Sequence, residues 1–378
     1  ETPEGLARFQ CRLLLMAAGY YSYDNPHNPR FEGEERFAGR MFHAQHWPQD
    51  VDYRNKRVVV IGSGATAVTI VPMVARDAAH VTMLQRSPTW MVSRPAEDRV
   101  ANFVRRLLPP MAAYNLIRWR NVLMQNFVFK QARTNPGKVN KRLTDMLLKE
   151  LPEETVKAHF QPRYNVWEQR LCLVPDADLF QAIKAGRASV VTDQIETFTE
   201  RGIRLHSGRE LEADIIVTAT GLAMQPLGGM ELSVDGRRVD VGETLAYRGI
   251  LLSDVPNLAS VFGYINASWT LKADLICAYV CRLLNHMDAR GARQVTPRRR
   301  GEKAEALFVE RFSAGYMQRA LGEWPKQGAH APWRVRQNYL RDAIELKWAR
   351  LDDGVLEYAA PRPASTSREA GELAEAAR

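Results

Sequence analysis

Val58-Val-Val-Ile-Gly62-Ser-Gly64-Ala-Thr-Ala67 decides the fold. An apolar β-branched run ends in Gly-x-Gly-x-x-Ala, and a helix-compatible segment continues to about Arg76. The glycines are needed because the chain must turn tightly. They also let a pyrophosphate approach backbone N–H groups at a helix N-terminus. The strand Arg57–Ile61, the turn, the helix and a second strand, Val81–Gln85, make one βαβ unit. Gly62, Ser63, Gly64, Ala65, Thr66 and Ala67 are therefore candidate cofactor-binding residues. The second strand runs into Arg86-Ser87, where a NAD site usually carries Asp or Glu for the ribose 2′-hydroxyl. An arginine fork suits the 2′-phosphate of NADPH instead, so Arg86 and Ser87 join the candidates.

Ten residues ahead of this run stands Phe37-Ala-Gly-Arg-Met-Phe-His43-Ala-Gln-His-Trp47-Pro48. Phe-x-Gly-x-x-x-His-x-x-x-Trp-Pro just before a Gly-x-Gly-x-x-Ala turn resembles the fingerprint of Baeyer–Villiger monooxygenases, flavoproteins that use NADPH and O2. Phe37, Gly39, His43, Trp47 and Pro48 carry the match. The resemblance implies an α/β fold with two dinucleotide-binding, Rossmann-like domains, an NADPH domain being inserted in an FAD domain. It also implies FAD and NADPH as cofactors and a C4a-peroxyflavin as oxidant. The fingerprint is expected in a linker between domains, with His43 a hinge contact and Trp47 and Pro48 stiffening it. A metal role for His43 is not expected, since only His46 stands near it.

Asp214-Ile-Ile-Val-Thr-Ala-Thr-Gly221 reads as the end of a buried parallel strand from Arg209. It resembles the Ala-Thr-Gly return of two-domain flavoproteins, which puts Thr220 and Gly221 at the cofactor. A helix is expected over Asn266–Leu284, with Ser268 as N-cap. In the resembling family its N-terminus, with Asn266, Ser268 and Trp269, faces the flavin, where its partial positive charge would favour the anionic reduced form. The resemblance also places an active-site arginine at Arg170, in Gln169-Arg170-Leu-Cys172, with Arg163 a competing candidate. A fixed guanidinium there would stabilise the negative oxygen of a tetrahedral adduct.

The chain has 378 residues, 46% hydrophobic and 25% charged, as expected of a globular protein of two or more domains. Its four cysteines show neither redox nor zinc spacing and read as reduced, which fits a cytoplasmic protein. The net charge is +9, and residues 99–148 hold ten Lys/Arg against the single acid Asp145. Aromatic and aliphatic residues lie between those cations. The segment reads as a basic amphipathic helix pair, broken at Pro109-Pro110 and Asn135-Pro136-Gly137, rather than a nucleic-acid patch. It is expected either to touch a membrane peripherally or to form a solvated lid.

The expected organisation is the end of an FAD-domain part and the linker over 1–50, with a strand in Gln10–Ala18 and loop over 22–36. An NADPH domain follows over 51–208, with a helical insertion at 99–160. The second FAD part takes 209–358, and a disordered tail 359–378. No Gly-x-Gly-x-x-Gly turn for the ADP half of FAD precedes Cys11, so the first FAD half is expected to be truncated. The activity expected is insertion of one oxygen of O2 into a small hydrophobic ketone, giving an ester or lactone, or oxidation of sulfur. The other readings are an N- or S-hydroxylating flavin monooxygenase and an NADPH-binding fragment without flavin turnover.

Overall fold

The computed structural model describes residues 5–169, 171–305 and 315–360. Two compact units form, one of Tyr21–Gln225 with the short helix Gly315–Ala320, the other of the described residues before 21 and the remainder after 225.

The first unit is built on five parallel strands: β1 (Arg40–His43), β2 (Arg57–Ile61), β3 (His80–Gln85), β4 (Ala188–Thr192) and β5 (Ile215–Thr218). Their order across the sheet is β1-β5-β2-β3-β4. The unbroken apolar run of β2 is explained by cover on both faces. Val58 and Val60 pack with α1 (Ala65–Val74) and α6 (Asp178–Lys184), while Val59 and Ile61 pack with Phe198, Ile203 and Ile216. The insertion is helical, as α2 (Arg99–Leu107), α3 (Pro110–Thr134), α4 (Pro136–Leu147) and α5 (Glu153–His159). Pro110 and Pro136 each open a helix, where a missing N–H is harmless.

Four expectations change here. The fingerprint is not a free linker, because β1 is the edge strand of the sheet and pairs with β5 from Arg40↔Ile215 to His43↔Thr218. For the same reason the expected boundaries at 51 and 209 cut through this unit. Tyr21–Pro26, expected as loop, is a strand paired antiparallel with Leu222–Met224. The single strand expected from Arg209 is two. Glu210–Glu212 joins a small antiparallel sheet, β5 starts at Ile215, and the Asp214 carboxylate between them accepts the Arg57 backbone N–H at 2.7 Å.

The second unit carries a four-stranded sheet in the order Leu14–Met16, Leu258–Ser260, Leu251–Leu252, Ala246–Tyr247. Only its first pair is parallel. The helix α7 (Trp269–Ala289) buries Ile276, Tyr279, Val280, Leu283 and Met287 in a core with Leu251, Ala259 and Leu346. The strand Leu356–Ala359 pairs with Gln294–Pro297, so regular structure runs up to the expected start of the tail; residues 361–378 of that tail lie outside the described residues.

Candidate active site

Gly62 stands where β2, β3 and the segment after β5 converge. Its N–H donates to the Leu84 carbonyl at 2.8 Å, and its φ of +140° suits glycine. A Cβ there would lie 2.4 Å from the Ala219 carbonyl oxygen. Gly64 is the N-cap of α1, with φ −78° and open space where a Cβ would stand. Ala67 is wholly buried against β2 and lets helix and strand close up. The first-turn N–H groups of α1, on Ala65, Thr66 and Ala67, have no carbonyl within the helix to bond.

A cavity of about 540 Å³ opens over this turn. It is lined by Gly62, Ser63 and Gly64, by Arg86 and Ser87 after β3, and by Thr220 and Gly221 after β5. Of the first unit's expected cofactor residues, these seven meet in one place. The Ser63 hydroxyl is 2.9 Å from the Thr89 hydroxyl, which pins the turn to the segment after Ser87. Thr220 donates its hydroxyl to the His27 carbonyl at 2.7 Å, and the His27 N–H donates to the Gly221 carbonyl at 3.2 Å.

Among the lining residues not foreseen are His27 and Arg319. His27 lies in the segment expected to be loop, and Arg319 lies on the helix Gly315–Ala320, far away in sequence. No local pattern marks Arg319; only the tertiary fold brings it to the turn. Burial lowers the pKa of Arg319 from its usual value, and burial followed by the Arg319 charge lowers that of His27. The cavity thus has two guanidiniums, Arg86 and Arg319, and a histidine biased toward neutrality. Its one acid, Asp193, spends its oxygens on the backbone N–H groups of Gln194 (2.7 Å) and Ser207 (3.3 Å). A phosphate suits this balance.

The fingerprint residues hold the sheet edge next to it. Phe37 packs with the Phe198 and Ile203 core. Gly39 is required because a Cβ would lie 2.5 Å from both the Asp214 carbonyl oxygen and the Phe37 ring. Trp47 meets Phe42 edge-on at 5.0 Å and Tyr53 at 6.4 Å, and the half-buried Pro48 follows it. His43 is buried, and its Nδ1 accepts the Gln45 N–H at 3.0 Å, so the ring proton sits on Nε2. Burial lowers the His43 pKa. The Gly221 backbone opposes that shift but falls short of hydrogen-bond geometry with Nε2.

Asn266, Ser268 and Trp269 belong to the second unit. Asn266 is buried, and its amide donates to the Gln337 carbonyl at 2.9 Å. Trp269 opens α7, stacks on Tyr20 at 4.4 Å and lies over Gly263, where a Cβ would be 2.3 Å from the indole. Ser268 takes the N-cap position but makes no capping bond; its hydroxyl is 2.8 Å from that of Thr270. The expected cap is therefore positional only; the Ser268 carbonyl, not its hydroxyl, accepts the Leu271 N–H at 3.2 Å. Arg170 lies outside the described residues. Arg163 is described, and exposed.

The profile of the flavin-binding monooxygenase-like (FMO-like) proteins matches residues 9–234. The chain belongs to this family. It is 51% identical over 361 residues to the FAD-containing monooxygenase EthA of Mycobacterium tuberculosis H37Rv, a match spanning 95% of this chain and 74% of that protein. The probable FAD-binding monooxygenase AlmA of Acinetobacter baylyi is 48% identical, over 92% of this chain and 70% of its own. Among solved structures, an oxidized steroid monooxygenase bound to NADP superposes with a TM-score of 0.63 at 20% identity, covering 93% of this chain and 75% of that one. OTEMO in complex with FAD and NADP gives 0.63 at 18% identity, over 92% and 76%. The fold of this FMO-like chain is thus that of Baeyer–Villiger monooxygenases: mixed α/β with parallel sheets and Rossmann-type domains. It is a member of a flavin-dependent monooxygenase family.

Proposed function

We propose that this chain binds NADPH over the Gly62–Ala67 turn and, with FAD, uses O2 to oxidise a small hydrophobic ketone to an ester or lactone, or a soft sulfur to a sulfoxide. The observation that carries the reading is the cavity in which the glycine turn, Arg86 and Arg319 meet over an open helix N-terminus. The pyrophosphate would take the α1 amides, brought within reach by Gly64, where no Cβ stands in the way. The 2′-phosphate would take the Arg86 fork. The bound cofactors supply hydride and the activated oxygen.

For the flavin, Asn266, Ser268 and Trp269 stand at the start of α7, whose N-terminus no serine hydroxyl caps, a fit for a group that gathers negative charge on reduction. No Gly-x-Gly-x-x-Gly turn for the ADP half is present among the 378 residues. A flavin absorbance spectrum of the purified chain is therefore the first experiment. A chain that takes up no FAD but still titrates with NADPH would leave the nucleotide-binding reading alone. The 51% identity to an FAD-containing monooxygenase supports flavin-dependent oxygenation in general; ketone insertion has its support in the fingerprint.

NADPH should bind much better than NADH, and Arg86→Ala should remove most of that preference. Loss of one charge-assisted contact to a phosphate costs roughly 1.5–3 kcal/mol. Titration of both nucleotides against the parent and the variant reads this directly, and equal affinities in the parent would overturn it. Arg170 is proposed to stabilise negative charge on oxygen during transfer to substrate. In the FAD-loaded enzyme Arg170→Ala should still be reduced by NADPH, while product per NADPH falls at least about tenfold. An unchanged yield would reassign the residue.

A further inference from the structure

The helical insertion carries an apolar surface that the active site does not use. On α3, Leu116, Trp119, Leu123 and Phe127 recur at i, i+3, i+7 and i+11, and all four are about half exposed. That spacing puts them on one face. Ala113 and Ile117, on another face of α3, are buried with Ala101 of α2. On α2 the same pattern appears in Val100, Phe103 and Leu107, which are 55%, 61% and 65% exposed. Leu108 and Met111 continue the exposed surface through the connection between the helices. Among the described residues, 11 of the 20 large exposed hydrophobic side chains fall within 100–127. A lid packed on its own domain would bury these stripes, so the lid reading does not account for them.

Charge selects what covers this surface. Arg99 and Arg106 are exposed and lie beside the α2 stripe, and Lys130 and Arg133 are exposed at the far end of α3. The nearest acid, Asp98, is paired with Arg120 at 2.9 Å. Residues 99–148 carry a charge equal to that of the whole chain, +9. A second copy would bring this patch against its own charge. No helix among the described residues is long and apolar enough to cross a membrane. Apolar stripes bordered by snorkelling cations match the boundary between headgroups and acyl chains of an anionic bilayer.

We propose that the α2–α3 hairpin docks the protein on anionic lipid surfaces, the stripes entering the acyl boundary and the flanking arginines resting on headgroup phosphates. The test is flotation of the full chain with phosphatidylcholine vesicles, with and without phosphatidylglycerol, at low and high salt. The chain should float with the anionic vesicles, and added salt should weaken that binding. Leu116→Ser/Leu123→Ser/Phe127→Ser should weaken it at least about tenfold, as should Arg99→Glu/Arg106→Glu. An unchanged helical signal and unchanged NADPH titration show that the variants fold. Equal flotation of parent and variants overturns the proposal, as does absence of binding to any vesicle. Loss of self-association in the Ser variant, without vesicle binding in the parent, would make the surface an interface between copies and equally overturn it.

Discussion

Replacing Asp342 by Ala should lower the stability of the second unit by about 3–5 kcal/mol. Asp342 lies in the first turn of the helix Tyr339–Trp348, is 4% exposed, and accepts from the equally buried Lys272 ammonium of α7. The Tyr264 hydroxyl donates to the same carboxylate oxygen at 2.7 Å. Lys272 is also 5.4 Å over the Tyr264 ring. Removing the carboxylate strands a cation where little water can reach it, and that penalty exceeds what the pair itself contributes. Asp342→Asn should be milder, because the amide oxygen still accepts from both donors. Lys272→Met with Asp342→Leu should come back close to the parent, since neither charge then has to be desolvated. Urea unfolding of the four proteins checks the pattern. A loss below about 1 kcal/mol for Asp342→Ala would place the pair on the scale of exposed ion pairs. The pair stands three residues from Trp269 and ties α7 to its neighbour, so Asp342→Ala should also loosen the Tyr20–Trp269 stack.

The nucleotide half of the fold was legible because its signals are local. A β-branched run, a glycine turn and a helix-compatible segment lie within 29 residues of each other, and β2, α1 and β3 follow them closely. Pro110 and Pro136 likewise mark helix starts by their own chemistry. What could not be read was register between distant segments. Arg40–His43 has no strand signal stronger than its neighbours; it is a strand because β5, arriving some 175 residues later, offers a parallel edge. Tyr21–Pro26 looks like a loop for its Asn, Asp and Pro, and is held extended by Leu222–Met224 and by the His27–Gly221 and Thr220–His27 hydrogen bonds. The candidate site divides the same way. Gly62, Ser63, Gly64, Arg86, Ser87, Thr220 and Gly221 follow strand ends, a position that a sequence shows. Arg319 and His27 enter the cavity by packing alone. Lys272 falls inside the helix expected over Asn266–Leu284, but its partner is 70 residues away.

Gly62→Ala and Gly64→Ala should fail in opposite ways, and the contrast tests the assigned role of the turn. At Gly62 a Cβ meets the Ala219 carbonyl oxygen at 2.4 Å and the Ala219 carbonyl carbon at 3.0 Å, both backbone atoms. The φ of +140° adds strain for any L side chain. Strain of about 1–3 kcal/mol and overpacking of about 1–3 kcal/mol together predict a loss of several kcal/mol in stability. Relief requires the Ala219–Gly221 segment to withdraw from β2. That would break the Ala219 N–H bond to the Ile61 carbonyl and move Thr220 and Gly221 off the cavity wall. Gly62→Ala should therefore melt early and bind NADPH poorly. At Gly64 the backbone is ordinary and nothing lies within 4 Å of the added carbon. Gly64→Ala should change stability by no more than about 1 kcal/mol, the cost of alanine at a helix N-cap. It should nevertheless weaken NADPH binding, because the methyl enters the space through which a pyrophosphate reaches the α1 amides. Thermal melts and nucleotide titrations of both variants separate the two effects. A Gly64→Ala protein that melts like the parent and binds NADPH as tightly would show that no phosphate approaches this turn, whatever its glycine spacing.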